Sequence, residues 1–245
     1  GLGAIKQITQ MLSDICLGPY CYEAFKVLRS SLFLSTVLSN SESWVGLSNN
    51  NIKELESVYE QLLRSIFSSD LSKHAKTPKE LLYLETGTIP IRFIIMSRRL
   101  NFCWYLLNQD EDSLLGEFFK AQCDSPSRGD WVSVVKQDIK DLELNMTLDQ
   151  IKVCSKEAFK DTVRKHVNAV GFKYVKNLQR THTKAKMMQY EDLNLQQYLD
   201  SDSNPMTNKE KTFAFTARSH MLDLKCNFKL GKVDLKCSLG CDQDE

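Results

Sequence analysis

Apolar residues recur at helical spacing along most of this chain, and polar breaks divide them into segments that carry recognisable capping signals. From Ile91 to Leu107 the sequence is apolar nearly all round apart from Arg92, Arg98, Arg99 and a few amides, which predicts a helix buried on most sides. Thr77-Pro78-Lys79-Glu80 reads as a capping box with proline at the first helical position. Gly87 breaks the helix that follows, and Pro90 opens the next. Further capping boxes at Asn51/Glu54, Thr147/Gln150 and Thr207/Glu210 each precede helically spaced apolar residues. The pattern predicts a mainly α fold, a multi-helix bundle with room for about ten helices.

Three of these, Ile5–Cys16, Tyr22–Leu38 and Ile52–Ile66, are joined by Gly18-Pro19 and by Ser39–Asn51 and predict a three-helix bundle over residues 1–69. Polar breaks at Ser68–Lys76, Gln122–Asp130 and Asp200–Asn208 set off a helical connector over 70–145 and a basic helical region over 146–220. After Met221 the period changes. Leu222, Leu224, Cys226, Phe228 and Leu230 alternate with polar residues, Gly231-Lys232 can turn the chain, and Val233, Leu235 and Cys237 alternate again, which predicts a short β-hairpin within 221–245.

With 245 residues, 42% of them hydrophobic, the chain can build a core as one large domain or two smaller ones. No stretch approaches the ~18 apolar residues of a membrane span, and no charged-then-apolar leader opens the sequence. The expectation is a soluble, unsecreted chain with no membrane partner; its compartment, nuclear or cytoplasmic, is left open. Gly1 stands in mid-pattern and the final Asp-Gln-Asp-Glu follows a cysteine pair, so the sequence reads as an excised piece. Eight scattered cysteines among apolar neighbours look like small hydrophobes and not like a disulfide framework. Asn145-Met146-Thr147 matches a glycosylation acceptor, but Thr147 is better used as a helix cap.

Charge changes the picture more than composition does. The formal net charge is only +1, yet between Ile151 and Tyr190 there are ten basic residues (Lys152, Lys156, Lys160, Arg164, Lys165, Lys173, Lys176, Arg180, Lys184 and Lys186) against two acids, Glu157 and Asp161. Lys152, Lys156, Lys160 and Arg164 recur every four residues and are expected on one helical face, with Val153, Phe159, Val163 and Val167 looking inward. Such a stripe attracts phosphate backbones through counterion release; it is equally the solvated face of an ordinary helix. Charge alone does not choose between them.

Arg92 and Arg99, seven residues apart, project on one face with Arg98 adjacent, and guanidinium groups in apolar surroundings need anionic partners. Glu80 and Glu85 are the expected internal partners, which favours a structural role over phosphate contact. Trp44, Trp104 and Trp131 are expected to anchor the core. Asp110-Glu111-Asp112 reads as a solvated turn, and His74, His166 and His182 have no ligand-spaced companions. The chain has no Asp-Asp pair that could hold two Mg²⁺ ions against phosphates, no phosphate-cradling G-x-x-x-x-G-K-[ST] loop, no H-E-x-x-H helix and no G-x-S-x-G elbow. No active site is legible.

Thr77–Glu80 (TPKE), Leu82–Glu85 (LYLE), Gly87–Ile95 (GTIPIRFII) and Arg98–Phe102 (RRLNF), in that order, resemble the region that follows the catalytic palm in reverse transcriptases of non-LTR retrotransposons, the LINE-type and jockey-like elements. The likeness extends to Gly1–Ile8, Ser39–Gly46, Gly129–Lys140 and Asn227–Cys241. It implies a non-catalytic, thumb-like and connector segment of an RNA-directed DNA polymerase polyprotein. Its partners would be element RNA, target DNA and the rest of the polyprotein, and Mg²⁺ would belong to the absent palm. It also favours the phosphate-binding reading of the basic stripe.

In that family a Cys-x-x-Cys pair opens a zinc knuckle. Here Cys237-Ser-Leu-Gly-Cys241 has three intervening residues and no second ligand pair, although His220 and Cys226 offer further ligands. Zinc is therefore expected only if the knuckle is completed downstream. The competing reading is a helical scaffold that binds protein partners, including a host-retained or degenerate copy of an element.

Overall fold

The computed structural model describes residues 3, 7, 21–67, 77–110, 113–125, 127, 129–182, 190, 196–199 and 206–218. Among them the fold is mainly helical: α1 (Cys21–Leu28), a π turn (Arg29–Phe33), α2 (Leu34–Val37), a 3-10 turn (Ser41–Ser43), α3 (Asn49–Arg64), α4 (Lys79–Thr86) and α5 (Ile91–Leu107). There follow α6 (Leu114–Asp124), α7 (Trp131–Asp141), α8 (Leu148–Val153), α9 (Lys156–Thr181), a second 3-10 turn (Gln197–Leu199) and α10 (Asn208–Arg218). The expected hairpin and most of the expected Ile5–Cys16 helix lie outside the described residues.

Helix starts follow local chemistry, with two shifts from expectation. Thr147/Gln150 forms the expected reciprocal box, and Thr207/Glu210 does the same ahead of α10. The box ahead of α3 sits three residues earlier than expected, with Ser48 as cap and Asn51 as its third-position partner. At α4 the expected box does not form. Pro78 itself holds the extended cap position (φ −56°, ψ 131°), which leaves Thr77 one residue too far back, and Thr77 Oγ1 and Glu80 Oε2 are buried without hydrogen-bond partners. Gly87 ends α4 in the left-handed conformation (φ 60°, ψ 30°), and the Thr88 amide bonds back to the Tyr83 carbonyl at 3.0 Å.

The expected Tyr22–Leu38 helix is interrupted by the π turn. Ser30 and Ser31 on the exposed face donate to the Val27 carbonyl, and Ser35 donates to Ser31 and Leu32. Serine hydroxyls that bond back along a helix compete with its own ladder and bend it.

α5 is the organising element, and its most extensive helix pairing is with α9. One apolar cluster joins Phe25, Phe33, Tyr59, Leu62 and Leu63 to Leu81–Leu84, Ile91, Ile95, Val175 and Phe215. Residues from all three segments 1–69, 70–145 and 146–220 thus share one core. A second cluster joins Phe93, Leu100, Cys103 and Leu106 of α5 to Phe119, Val132, Val135, Phe159, Val163 and Val167. Burial pushes the Cys103 thiol up to about 12, so it behaves as a small hydrophobe. Trp104 and Trp131 pack against this cluster and their indole N–H groups donate to the Cys154 and Glu42 carbonyls.

The arginines of α5 are structural, but their partners differ from those expected. Arg92 makes a bidentate pair with Glu56 of α3 at 2.5 and 3.0 Å. Arg99 pairs with Asp138 of α7, and Arg98 donates to the Leu34 and Leu38 carbonyls at the end of α2. Glu85, one of the two expected partners, is buried against Arg218 of α10 and the Tyr190 hydroxyl. Burial, together with the Glu85 carboxylate, drives the Tyr190 phenol well above its ordinary range and keeps it a donor.

Candidate nucleic-acid interface

The basic region is carried by α9, the longest described helix. Ser155 in extended conformation (φ −65°, ψ 151°) caps it by accepting from the Ala158 amide at 3.3 Å. Phe159, Val163, Val167, Gly171, Val175 and Gln179 are buried every fourth residue. A ridge of that period is how one helix seats in the groove of another. Gly171 permits the close approach: a Cβ there would stand 3.0 Å from Ile89 Cγ2. Tyr174 adds an edge contact to Phe93 with ring centroids 5.6 Å apart and receives the Arg92 guanidinium 4.9 Å from its ring.

Beside the buried ridge runs a second row of the same period: Lys156, Lys160, Arg164, Asn168, Phe172, Lys176 and Arg180. Lys156, Lys160, Arg164 and Arg180 are exposed. Four helical residues advance about 6 Å, so the cations of this row stand at regular steps along one rigid rod.

The expected set divides on this geometry. Lys156, Lys160 and Arg164 do share a face, whereas Lys152 sits on the separate helix α8, because Cys154 (φ −72°, ψ 144°) is extended and breaks the run. The same break leaves Val153, expected inside, 83% exposed. Lys165 and Lys173 are exposed on a different row, and Lys173 is engaged with Glu143 at 2.8 Å. Hydrogen bonding to that ammonium holds the Glu143 carboxyl below the ordinary range. Lys176 is half-buried, donates to the Tyr190 carbonyl at 2.9 Å and lies 5.7 Å from the Phe172 ring centre. Lys184, Lys186, Cys237 and Cys241 lie outside the described residues, as do His220 and Cys226. Among the described residues no three His, Cys, Asp or Glu side chains stand together to hold a metal.

Arg164 pairs with Asp161 one turn earlier at 3.0 Å, with the two side chains 70% and 58% exposed. An ion pair this open to water is worth little and leaves the guanidinium available. Lys160, Asp161, Arg164, Val167 and Asn168 form one wall of a groove of about 390 Å³ whose other wall is Ile89 with Ile94, Ser97 and Asn101 of α5. Asn101 Nδ2 is committed to the Ser97 carbonyl at 2.8 Å, so its Oδ1 is the atom left without a donor. The continuation of the row through Asn168 and Phe172 was readable from the four-residue period. The α5 wall had no signal in the sequence, since only the helix crossing puts it there.

No protein-family model, curated protein or solved structure matches the chain. Among the described residues no helix is long and apolar enough to cross a membrane.

Proposed function

We propose that this chain is a non-catalytic, nucleic-acid-positioning piece of a non-LTR retrotransposon RNA-directed DNA polymerase. It grips template–primer or target DNA through backbone contacts while the metal-bearing carboxylates reside in the palm. The observation that carries the reading is the α9 row, in which Lys156 and Lys160 stand exposed beside Arg164 on a rod anchored by a buried ridge. Regularly placed cations on a rigid element recognise phosphates without reading sequence. The motif order through Thr77–Phe102 supplies the family context.

A filter-binding titration against salt tests it. Binding should weaken as salt rises with a logarithmic slope of roughly −0.7 to −0.9 per phosphate contacted. Changing Lys156, Lys160 and Arg164 to glutamate together should abolish retention. Salt-independent binding, or retention unchanged by the triple reversal, removes the proposal.

A second reading, a scaffold for protein partners, is favoured by the outward apolar face of α6. Leu114 is 83% and Phe118 64% exposed there, with Leu115 beside them. In that case the triple reversal changes nothing, whereas Leu114→Lys with Phe118→Lys abolishes partner capture.

A further inference from the structure

Building on the phosphate-contact reading, we infer that the groove between α5 and α9 takes a single nucleic-acid strand, with bases entering the groove and phosphates following the cationic row. The groove is the size of a small-molecule cleft. A duplex keeps its bases stacked inside and cannot fill such a space. An unpaired base can.

The floor suits one. Ile89 and Ile94, both partly exposed, offer apolar surface for a base face above the buried Val167, and Ser97 and Asn101 complete the α5 wall. The rim suits the backbone. Lys160 and Arg164 stand one helical turn apart on the groove edge, a step commensurate with successive phosphates of one strand. The acid on that edge, Asp161, stands 3.0 Å from Arg164 in an ion pair open to water, which a phosphate can displace. Farther along the same row, Phe172 packs against the core and carries the Lys176 ammonium 5.7 Å from its ring centre, so the base-binding stretch ends at Asn168. Cations on the rim of an apolar floor suit a single-strand binder, which tolerates any sequence because every base has a stacking face.

The test compares fluorescence anisotropy of the full chain with a labelled single strand of about 12 nucleotides and with the blunt duplex of the same sequence, at one salt concentration. The single strand should bind tighter by about fivefold or more, what one stacked base contributes. Asn168→Leu fills the groove from its exposed edge and leaves every cation in place; Ser97→Leu fills it from the opposite wall. Either should erase the single-strand preference and leave duplex affinity unchanged, with thermal melts by circular dichroism verifying the fold. Equal affinity for the two forms, or a preference untouched by both fillers, overturns the groove while salt-dependent binding leaves the phosphate reading standing. Absence of binding to either form overturns both.

Discussion

Arg99 and Asp138, 39 residues apart in sequence, meet through two hydrogen bonds, Nε to Oδ2 at 2.6 Å and Nη2 to Oδ1 at 3.1 Å. Their side chains are only 8% and 4% exposed. The same guanidinium reaches the Trp44 carbonyl at 2.9 Å, so one side chain ties α5 to α7 and to the loop after α2. Arg99→Ala strands a buried carboxylate and should cost about 3–5 kcal/mol, read as a fall in urea midpoint at neutral pH. A loss under half of that range would mean that the pair is not what joins these helices.

Glu60 gives the fold a pH dependence. Burial raises its carboxyl above the ordinary value, against the opposing pull of Lys79 and Arg64. Because the folded-state value exceeds the unfolded one, the stabilising contribution is complete below the ordinary carboxylate range and is lost as pH rises through the folded value. Glu60→Gln should therefore be more stable than the parent at pH 7 by an amount that shrinks to nothing near pH 4. Denaturant midpoints across that interval measure it, and a gap that widens on acidification would reverse the sign.

Gly171 has no room to grow. Beyond a Cβ at 3.0 Å from Ile89 Cγ2 and 3.6 Å from Phe93 Cδ2 lies the α5 contact itself. Gly171→Leu should lower stability by about 1–3 kcal/mol through overpacking, seen as a lower melting temperature.

The break at Cys154 ranks the lysines. Lys152→Glu, on α8 and off the row, should weaken nucleic-acid binding less than Lys160→Glu, which lies on the row and the groove edge. Asp161→Asn removes a negative charge beside Arg164 and should strengthen binding. Anisotropy titrations at fixed salt rank the variants; equal losses from Lys152 and Lys160 would point to diffuse charge and not to a row.

Helical character, the Thr147 and Thr207 boxes, the Gly87 stop and the inward set Phe159, Val163 and Val167 were all legible from residue order, because each depends on groups within about one helical turn. That the α5 arginines serve structure was legible too, since a buried guanidinium needs an anion. Which anion was not. Glu56, Asp138 and, for Glu85, Arg218 come together across separations of 36, 39 and 133 residues, and nothing in the local sequence marks those pairings. The groove wall of Ile94, Ser97 and Asn101 arises in the same way. Local hydrogen bonding and periodicity write helices into a sequence; the crossing of those helices, set by ridge packing and a glycine contact, decides which side chains become neighbours.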